Sequence, residues 1–233
     1  MSILAIDTAT EACSAALWHE GVVHHRFELA PRRHADLILP MVDAVLEEAG
    51  TDRHGIEWIA FGRGPGAFTG VRIAAGVAHG LSLGLGCGLY PVSTLAAMAM
   101  SAHEEQGAET ILTALDARMG EVYWGAWRIR EGVPEGVVQE RVCPPEQVKV
   151  ALNIETATAI GAGWGVYGEA LTRALSGRPA VVLPDKFPDA KYMLGIAMAE
   201  QARGAPLLTP AQAQPVYLRD RVAEPARTRP GGS

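Results

Sequence analysis

Short apolar runs punctuated by turns dominate the first sixty residues. Ile3-Leu4-Ala5-Ile6 is unbroken and stops at Asp7, the pattern of a buried strand presenting a carboxylate at its C-terminal end. Ser14-Ala15-Ala16-Leu17-Trp18 predicts a second strand, His19-Glu20-Gly21 a turn, and Val22 to Phe27 a returning third. The chain therefore opens as an antiparallel meander. The adjacent His24 and His25 should point to opposite faces of its last strand.

The period then changes. Leu37, Ile38, Met41, Val45, Leu46 and Ala49 share one side of a helix over residues 35–49, which Gly50 ends. Pro40 inside it predicts a kink or loose winding. Ile56 to Phe61 reads as a strand and runs into Gly62-Arg63-Gly64-Pro65-Gly66-Ala67-Phe68-Thr69-Gly70-Val71-Arg72, a loop with four glycines. A helix from about Thr69 to Leu85 follows, with Thr69 as its N-cap. Its Ala74, Gly76, Ala78 and Gly80 would let a neighbour approach closely. A short strand at 89–92 and a helix from Ser93 to about Glu104 come next.

The opening pattern then recurs. Ile111-Leu112-Thr113-Ala114-Leu115-Asp116 resembles Ile3 to Asp7, and each aspartate is followed by a turn and a strand. Residues 157–160 predict a strand, 167–175 a helix, 180–183 a strand and 190–203 a helix. The expectation is a duplicated α/β unit of two similar subdomains, 1–106 and 107–218, with a flexible Pro/Gly/Arg-rich tail over 219–233.

Composition narrows the partners. The net charge of −6 gives no general attraction for nucleic acid, so RNA contact needs a local basic patch or another subunit. Three scattered cysteines make neither a disulfide framework nor a metal cluster and suit a reducing cytosol. Met1-Ser2 enters the first strand without a basic leader. Residues 71–92 are apolar enough to raise a membrane span, but Arg72, His79 and the glycines there favour a buried helix. A cytoplasmic protein with no membrane partner is expected.

The candidate chemistry sits at strand ends. Asp7 and Thr8 occupy the place where a duplicated ATP-binding fold holds an aspartate near Mg²⁺; equally, Asp7 would cap its own turn. Ala9 stands where a glycine would let phosphate approach. Asp116 is the equivalent carboxylate in the second half, but Arg118 and Met119 are bulky. Gly161 and Gly163, between a strand and a helix, are further candidates for nucleotide proximity, without the dinucleotide spacing. The seven histidines form no ligand pattern, so no metal ligands are expected, and there is no G-x-S-x-G elbow.

Ile3 through Thr10, His34 through Leu46, the loop Gly64-Pro65-Gly66-Ala67-Phe68-Thr69-Gly70-Val71-Arg72-Ile73, Pro91 through Leu95, and Leu115-Asp116-Ala117-Arg118-Met119-Gly120-Glu121-Val122-Tyr123 together resemble the bacterial TsaB (YeaZ) family. The resemblance is dense over roughly the first 130 residues and looser beyond, closing at Pro215 to Arg219. It implies the duplicated actin-like, sugar-kinase-like (ASKHA) ATPase fold. It also implies a non-catalytic scaffold or activator role in installing threonylcarbamoyl on the anticodon-adjacent adenosine of tRNAs that read codons starting with A. The implied partners are a catalytic TsaD-like paralogue, a small TsaE-like ATPase and, through the complex, tRNA. A free-standing ATP-dependent kinase or ATPase of the same fold is the alternative. No tightly bound cofactor is implied, though ATP or ADP with Mg would lie at the complex interface. Leu37, Met41 and Val45 on the first helix, and Ala74, Ala78 and Leu81 on the second, are the expected pairing surface; both stripes facing this chain's own sheet is the other reading. Alone, the chain would self-associate as a homodimer through those helices. Gly64, Pro65, Gly66, Thr69, Gly70 and Arg72 form the signature loop, expected to set the approach angle of the second helix.

Overall fold

The structure, a computed structural model, describes residues 1–219. The expected meander is present as β1 (Ser2–Asp7), β2 (Ala12–His19) and β3 (Val22–Leu29). Then come α1 (His34–Glu48), β4 (Trp58–Gly62), α2 (Phe68–Leu85), β5 (Gly88–Val92) and α3 (Thr94–Gln106). The second half holds β6 (Thr110–Arg118), β7 (Glu121–Arg130), β8 (Val133–Gly136), β9 (Arg141–Cys143), β10 (Thr158–Ile160), α4 (Ala162–Ala174), β11 (Val181–Leu183) and α5 (Ala190–Ala202).

Two sheets share one plan. The first has the order β3-β2-β1-β4-β5 and the second β8-β7-β6-β10-β11. In each, the first strand pairs antiparallel with the second (β1 with β2, β6 with β7) and parallel with a later one (β4, β10), and the last pairing is parallel too. The aspartate-ended strands β1 and β6 therefore hold the same central position. The halves differ where α1 lies in the first: the second has only two short 3-10 turns at Pro145–Gln147 and Ile154–Thr156.

Side-chain alternation explains the layers. Ile3 and Ala5 of β1 face a central core, while Leu4 and Ile6 face an outer one under α1 and α2. In β6, Ile111 and Leu115 face the centre, and Leu112 and Ala114 face the outer core around Trp124 and Trp164. Thr113 is the polar intruder; its Oγ1 donates to Gly125 O and accepts from Trp127 Nε1 at 2.9 Å.

The central layer is two helices that have changed sides. α3 closes the first half but packs on β6, β7, β8 and β10 of the second. α5 closes the second half but packs on β1, β2, β4 and β5 of the first. Leu95, Met98 and Ala99 of α3 and Met193, Leu194 and Ala197 of α5 are almost wholly buried there. The α5 N-terminus is tied across the halves: Ala190 N–H donates to Ser14 Oγ at 2.9 Å, and Asp189, its N-cap, pairs with His25 Nε2 at 2.8 Å. His24 turns the other way, toward Glu48 of α1, as alternation requires.

Several boundaries differ from expectation. α1 is continuous through Pro40. Pro40 and Asp36 are both exposed, so water can satisfy the Asp36 carbonyl that loses its partner. α2 starts at Phe68 with Ala67 as N-cap, and no side chain caps it; Thr69 is one residue inside and solvent-facing. α4 starts at Ala162 instead of near residue 167, with non-helical φ/ψ at Tyr167. α2 is the one helix among the described residues with the length and apolar composition of a membrane span; one side of it packs on β4 in the outer core.

The exchanged helices make the halves mutually dependent. Leu95→Ala should cost about 2–5 kcal/mol, and urea unfolding followed by tryptophan fluorescence and by far-UV circular dichroism should give one coincident transition. Two separated transitions would contradict the interlock.

Candidate functional site

The strand ends of β1 and β4 meet the signature loop at van der Waals distance. A Cβ on Gly70 would lie 2.0 Å from Thr8 O, and one on Gly66 2.2 Å from Ala9 O. A Cβ on Gly62 would lie 1.8 Å from Asp7 Oδ2. Only glycine permits these approaches. Hydrogen bonds close the contact: Ala67 N–H donates to Ala9 O at 2.7 Å, and Thr8 Oγ1 donates to Gly70 O at 2.7 Å. Gly64 (φ +93°) and Pro65 turn the chain into this packing.

The contact buries the carboxylate. Asp7, Thr8 and Ala9 have no exposed surface. Asp7 Oδ1 accepts from Ala9 N–H at 3.0 Å, which is the turn-capping reading of this residue, and Oδ2 has no partner. Burial pushes the Asp7 carboxyl up to about 7; the Ala9 N–H opposes this, and Asp189 adds a little in the same direction. Burial also pushes the Cys13 thiol up to about 12, so it is no thiolate near neutrality.

The equivalent turn in the second half is open. Asp116 is half-buried; its Oδ1 accepts from Arg118 N–H at 2.8 Å and its Oδ2 pairs with Arg118 Nη1 at 3.1 Å. Arg118 also reaches Glu11 of the first half at 3.5 Å. Arg118, Met119 and Gly120 all have positive φ, which aims Arg118 and Met119 outward. Gly161 (φ +107°) is the N-cap of α4, and a Cβ there would lie 2.4 Å from Ala114 O; one on Gly163 would lie 2.9 Å from the same carbonyl. These two glycines let α4 settle on β6, and both are buried.

A segment not anticipated from the sequence completes the site. Residues 205–219 form a strap from α5 back across the first half. Leu208 bridges to Leu89, Ala213 is fully buried with its carbonyl 2.7 Å from His79 Nε2, and Val216 N–H donates to Arg63 O at 2.8 Å. Arg72 lies over the Phe68 ring, 3.6 Å from its centroid, and donates to Tyr217 Oη at 2.9 Å. Arg219 then pairs with Glu121 of the second half. Its signal in the sequence is faint, because irregular backbone docked on other elements has no period. Arg219 is thus anchored; the rest of the expected tail, with Arg221, Arg227 and Arg229, lies outside the described residues.

Strap, signature loop and both halves enclose a cleft of about 550 Å³. Ala9, Thr10, Glu11, Asp116, Arg118 and Ala162 line it, with aromatic and aliphatic side chains around them; Asp7, Thr8, Gly161 and Gly163 do not. Arg63 bridges the halves outside the cleft, pairing at 3.0 Å with Glu140, which also binds the Ser93 hydroxyl. Among the described residues, no three His, Cys, Asp or Glu side chains come together as metal ligands.

The expected pairing residues divide. Met41, Val45, Ala74 and Ala78 are 8%, 0%, 0% and 0% exposed, and Met41, Val45 and Ala78 pack into the outer core of their own sheet. That corrects their assignment to a free surface: the stripe with the strongest apolar period is the one the sheet takes. Leu37 and Leu81 lie at the edge of this core, half-buried.

Two lobes built on one sheet plan, crossed by a strap and closed around a cleft at the strand ends, define the class of α/β protein. A family model described as "TsaD: tRNA N6-adenosine threonylcarbamoyltransferase" matches residues 21–225. The tRNA threonylcarbamoyladenosine biosynthesis protein TsaB of Escherichia coli (strain K12) is 44% identical over 229 residues, covering 96% of each chain. Its counterpart from Haemophilus influenzae is 39% identical over 231 residues, covering 95% of each. The solved structure of YeaZ from Pseudomonas aeruginosa superposes with a TM-score of 0.87 at 45% identity, covering 93% of this chain and 99% of that one. The chain belongs to the TsaB (YeaZ) family.

Two substitutions test the site. Gly70→Ala should destabilise strongly, by roughly 2 kcal/mol or more, because backbone must move; a melting temperature within a degree of wild type would contradict the packing. The raised pKa of Asp7 means the folded chain holds its proton while the unfolded chain has already lost it. Stability should therefore fall as pH rises from about 4 to about 7, by up to a few kcal/mol in all. Asp7→Asn should flatten that slope, read from denaturant midpoints across this pH range.

Proposed function

We propose that this chain is a non-catalytic scaffold or activator subunit of the complex that transfers threonylcarbamoyl to the anticodon-adjacent adenosine of tRNAs reading A-starting codons. It would pair with a catalytic TsaD-like paralogue, with a TsaE-like small ATPase joining them and tRNA bound through the assembly in the cytoplasm. The observation that carries the non-catalytic part is the closed first turn: Asp7, the carboxylate an ATPase would turn toward Mg²⁺, is buried behind Ala9 and the signature loop. The shared strand order supports reading the halves as copies of one unit in the duplicated ASKHA ATPase fold. ATP or ADP with Mg would be held chiefly by the paralogue at the shared interface.

The geometry suggests where that pairing occurs. Gly76, Gly80 and Gly84 recur every four residues along α2, all exposed, and a Cβ on any of them would meet nothing within 4 Å. Among the described residues nothing requires a glycine there, and each costs the helix up to about 1 kcal/mol relative to alanine. Leu83, 73% exposed, flanks the stripe on one side, and half-buried Val77 and Leu81 flank it on the other. A flat stripe with aliphatic borders lets a second helix lie close. The pairing face is therefore the solvent side of α2, next to the stripe expected from periodicity, and in isolation the same face would serve a homodimer.

Gly80→Leu should leave the melting temperature within a few degrees of wild type and abolish co-purification with the TsaD-like protein. Gly80→Ala should raise the melting temperature. Omitting this chain from a reconstituted assay should abolish threonylcarbamoyl transfer to tRNA; transfer at an unchanged rate would remove the proposal.

A further inference from the structure

The second sheet has an open edge at β11, and among the described residues no strand pairs with its far side. Val181 and Val182 point to opposite faces of the strand, yet they are 40% and 43% exposed. Edge strands are normally protected by charged side chains, proline or a covering element. β11 carries no charged residue. Pro179 and Pro184, which have no N–H to donate, confine the open stretch to residues 180–183.

A groove of about 530 Å³ lies between this strand and α4. Its floor is Trp164, 4% exposed, whose Nε1–H donates to Leu112 O at 3.0 Å and holds the indole in place. Gly168, one turn further along α4, leaves the groove unfilled: a Cβ there would meet nothing within 4 Å. Arg173 and Arg178 border the groove, both exposed. Arg53, Arg63, Arg118, Arg203 and Arg219 are each paired with a carboxylate, whereas these two make no ion pair among the described residues. Glu169 is the one carboxylate lining the groove, so two cations face one anion.

We propose that this groove and the free edge of β11 dock a short extended segment of another protein, in which aliphatic residues alternate with at least one carboxylate. Its backbone would add a strand beside β11, and its aliphatic side chains would settle over Trp164 and Val182. Its carboxylate would pair with Arg173 or Arg178 through charge-assisted hydrogen bonds. A polypeptide suits the site better than a nucleic acid does. The edge offers a row of backbone groups that another extended backbone matches, and the floor between the arginines is apolar. The surface lies in the second half, whereas α2 lies in the first, so this docking does not depend on the role proposed above.

Panning a random peptide library displayed on phage against the full chain tests it. Enriched peptides should place Asp or Glu beside a run of β-branched residues. The leading peptide, synthesised with a fluorophore, should bind saturably by anisotropy and slow hydrogen exchange at the amides of residues 180–183. Arg178→Glu should weaken that binding about tenfold or more. Val182→Asp, which sets a negative charge against the incoming strand, should do the same. Both side chains are exposed, so the melting temperatures should stay close to wild type. Gly80→Leu on α2 should leave the peptide affinity unchanged. Enrichment of sequences without carboxylates or β-branched runs, unchanged affinity in both variants, or protection confined to other segments would overturn the proposal. So would tighter binding of a uridine oligonucleotide than of the peptide, or self-association that Val182→Asp abolishes in place of peptide capture.

Discussion

The contact between the Thr8–Ala9 turn and the backbone of Gly66 and Gly70 governs the rest of the structure. It brings two backbone segments closer than any side chain allows. From it follow the burial of Asp7, the direction in which α2 leaves the loop, and the position of Phe68 and Arg72 at the cleft mouth. The strap then docks on what that contact has placed: Val216 on Arg63, Tyr217 on Arg72 and Ala213 on His79. The glycine-rich loop is thus a packing joint against the Thr8–Ala9 turn. Its Arg63 and Ala67 N–H groups are used internally, on Val92 O and Ala9 O.

The second organising feature is the exchange of α3 and α5. Each helix closes the half that precedes it and covers the sheet of the other. The central core is accordingly shared, and neither sheet has a complete hydrophobic cover of its own. Residues on both sides of the boundary expected at 106/107 therefore share a common core. Cross-half polar contacts, His25 with Asp189 and Arg63 with Glu140, sit around this core and hold one relative placement of the halves. Exposed ion pairs of this kind contribute little stability; the half-buried ones chiefly select a geometry.

The family match and the site geometry address different questions. The matching family model takes its description from a transferase, whereas the full-length relatives bear the TsaB name. Shared architecture accommodates both, since function resides in particular side chains on a common scaffold. In this chain the first strand-end carboxylate, Asp7, is enclosed, and the second, Asp116, is paired with Arg118. The glycines of α2 tell a parallel story. They weaken the helix, and among the described residues nothing lies within 4 Å of where their side chains would be.

Much of the fold was legible along the sequence. The unbroken run into Asp7 specified a buried strand, its recurrence at Asp116 specified the matching one, and the apolar stripe of α1 specified a helix, because burial imposes periods of two and 3.6 on neighbouring residues. The signature loop and the Asp116–Tyr123 segment identified the family. Tertiary structure alone decided the remainder. Whether Ala74 or Gly76 faces outward depends on which side of α2 the sheet occupies, and no single sequence states that. The α3–α5 exchange, the strap and the sealing of Asp7 all rest on contacts between residues far apart in the chain, made by irregular backbone or by helices buried on every side, where local periodicity carries no signal. Local chemistry thus determined the elements and the kinship, and packing determined what each potential site had become.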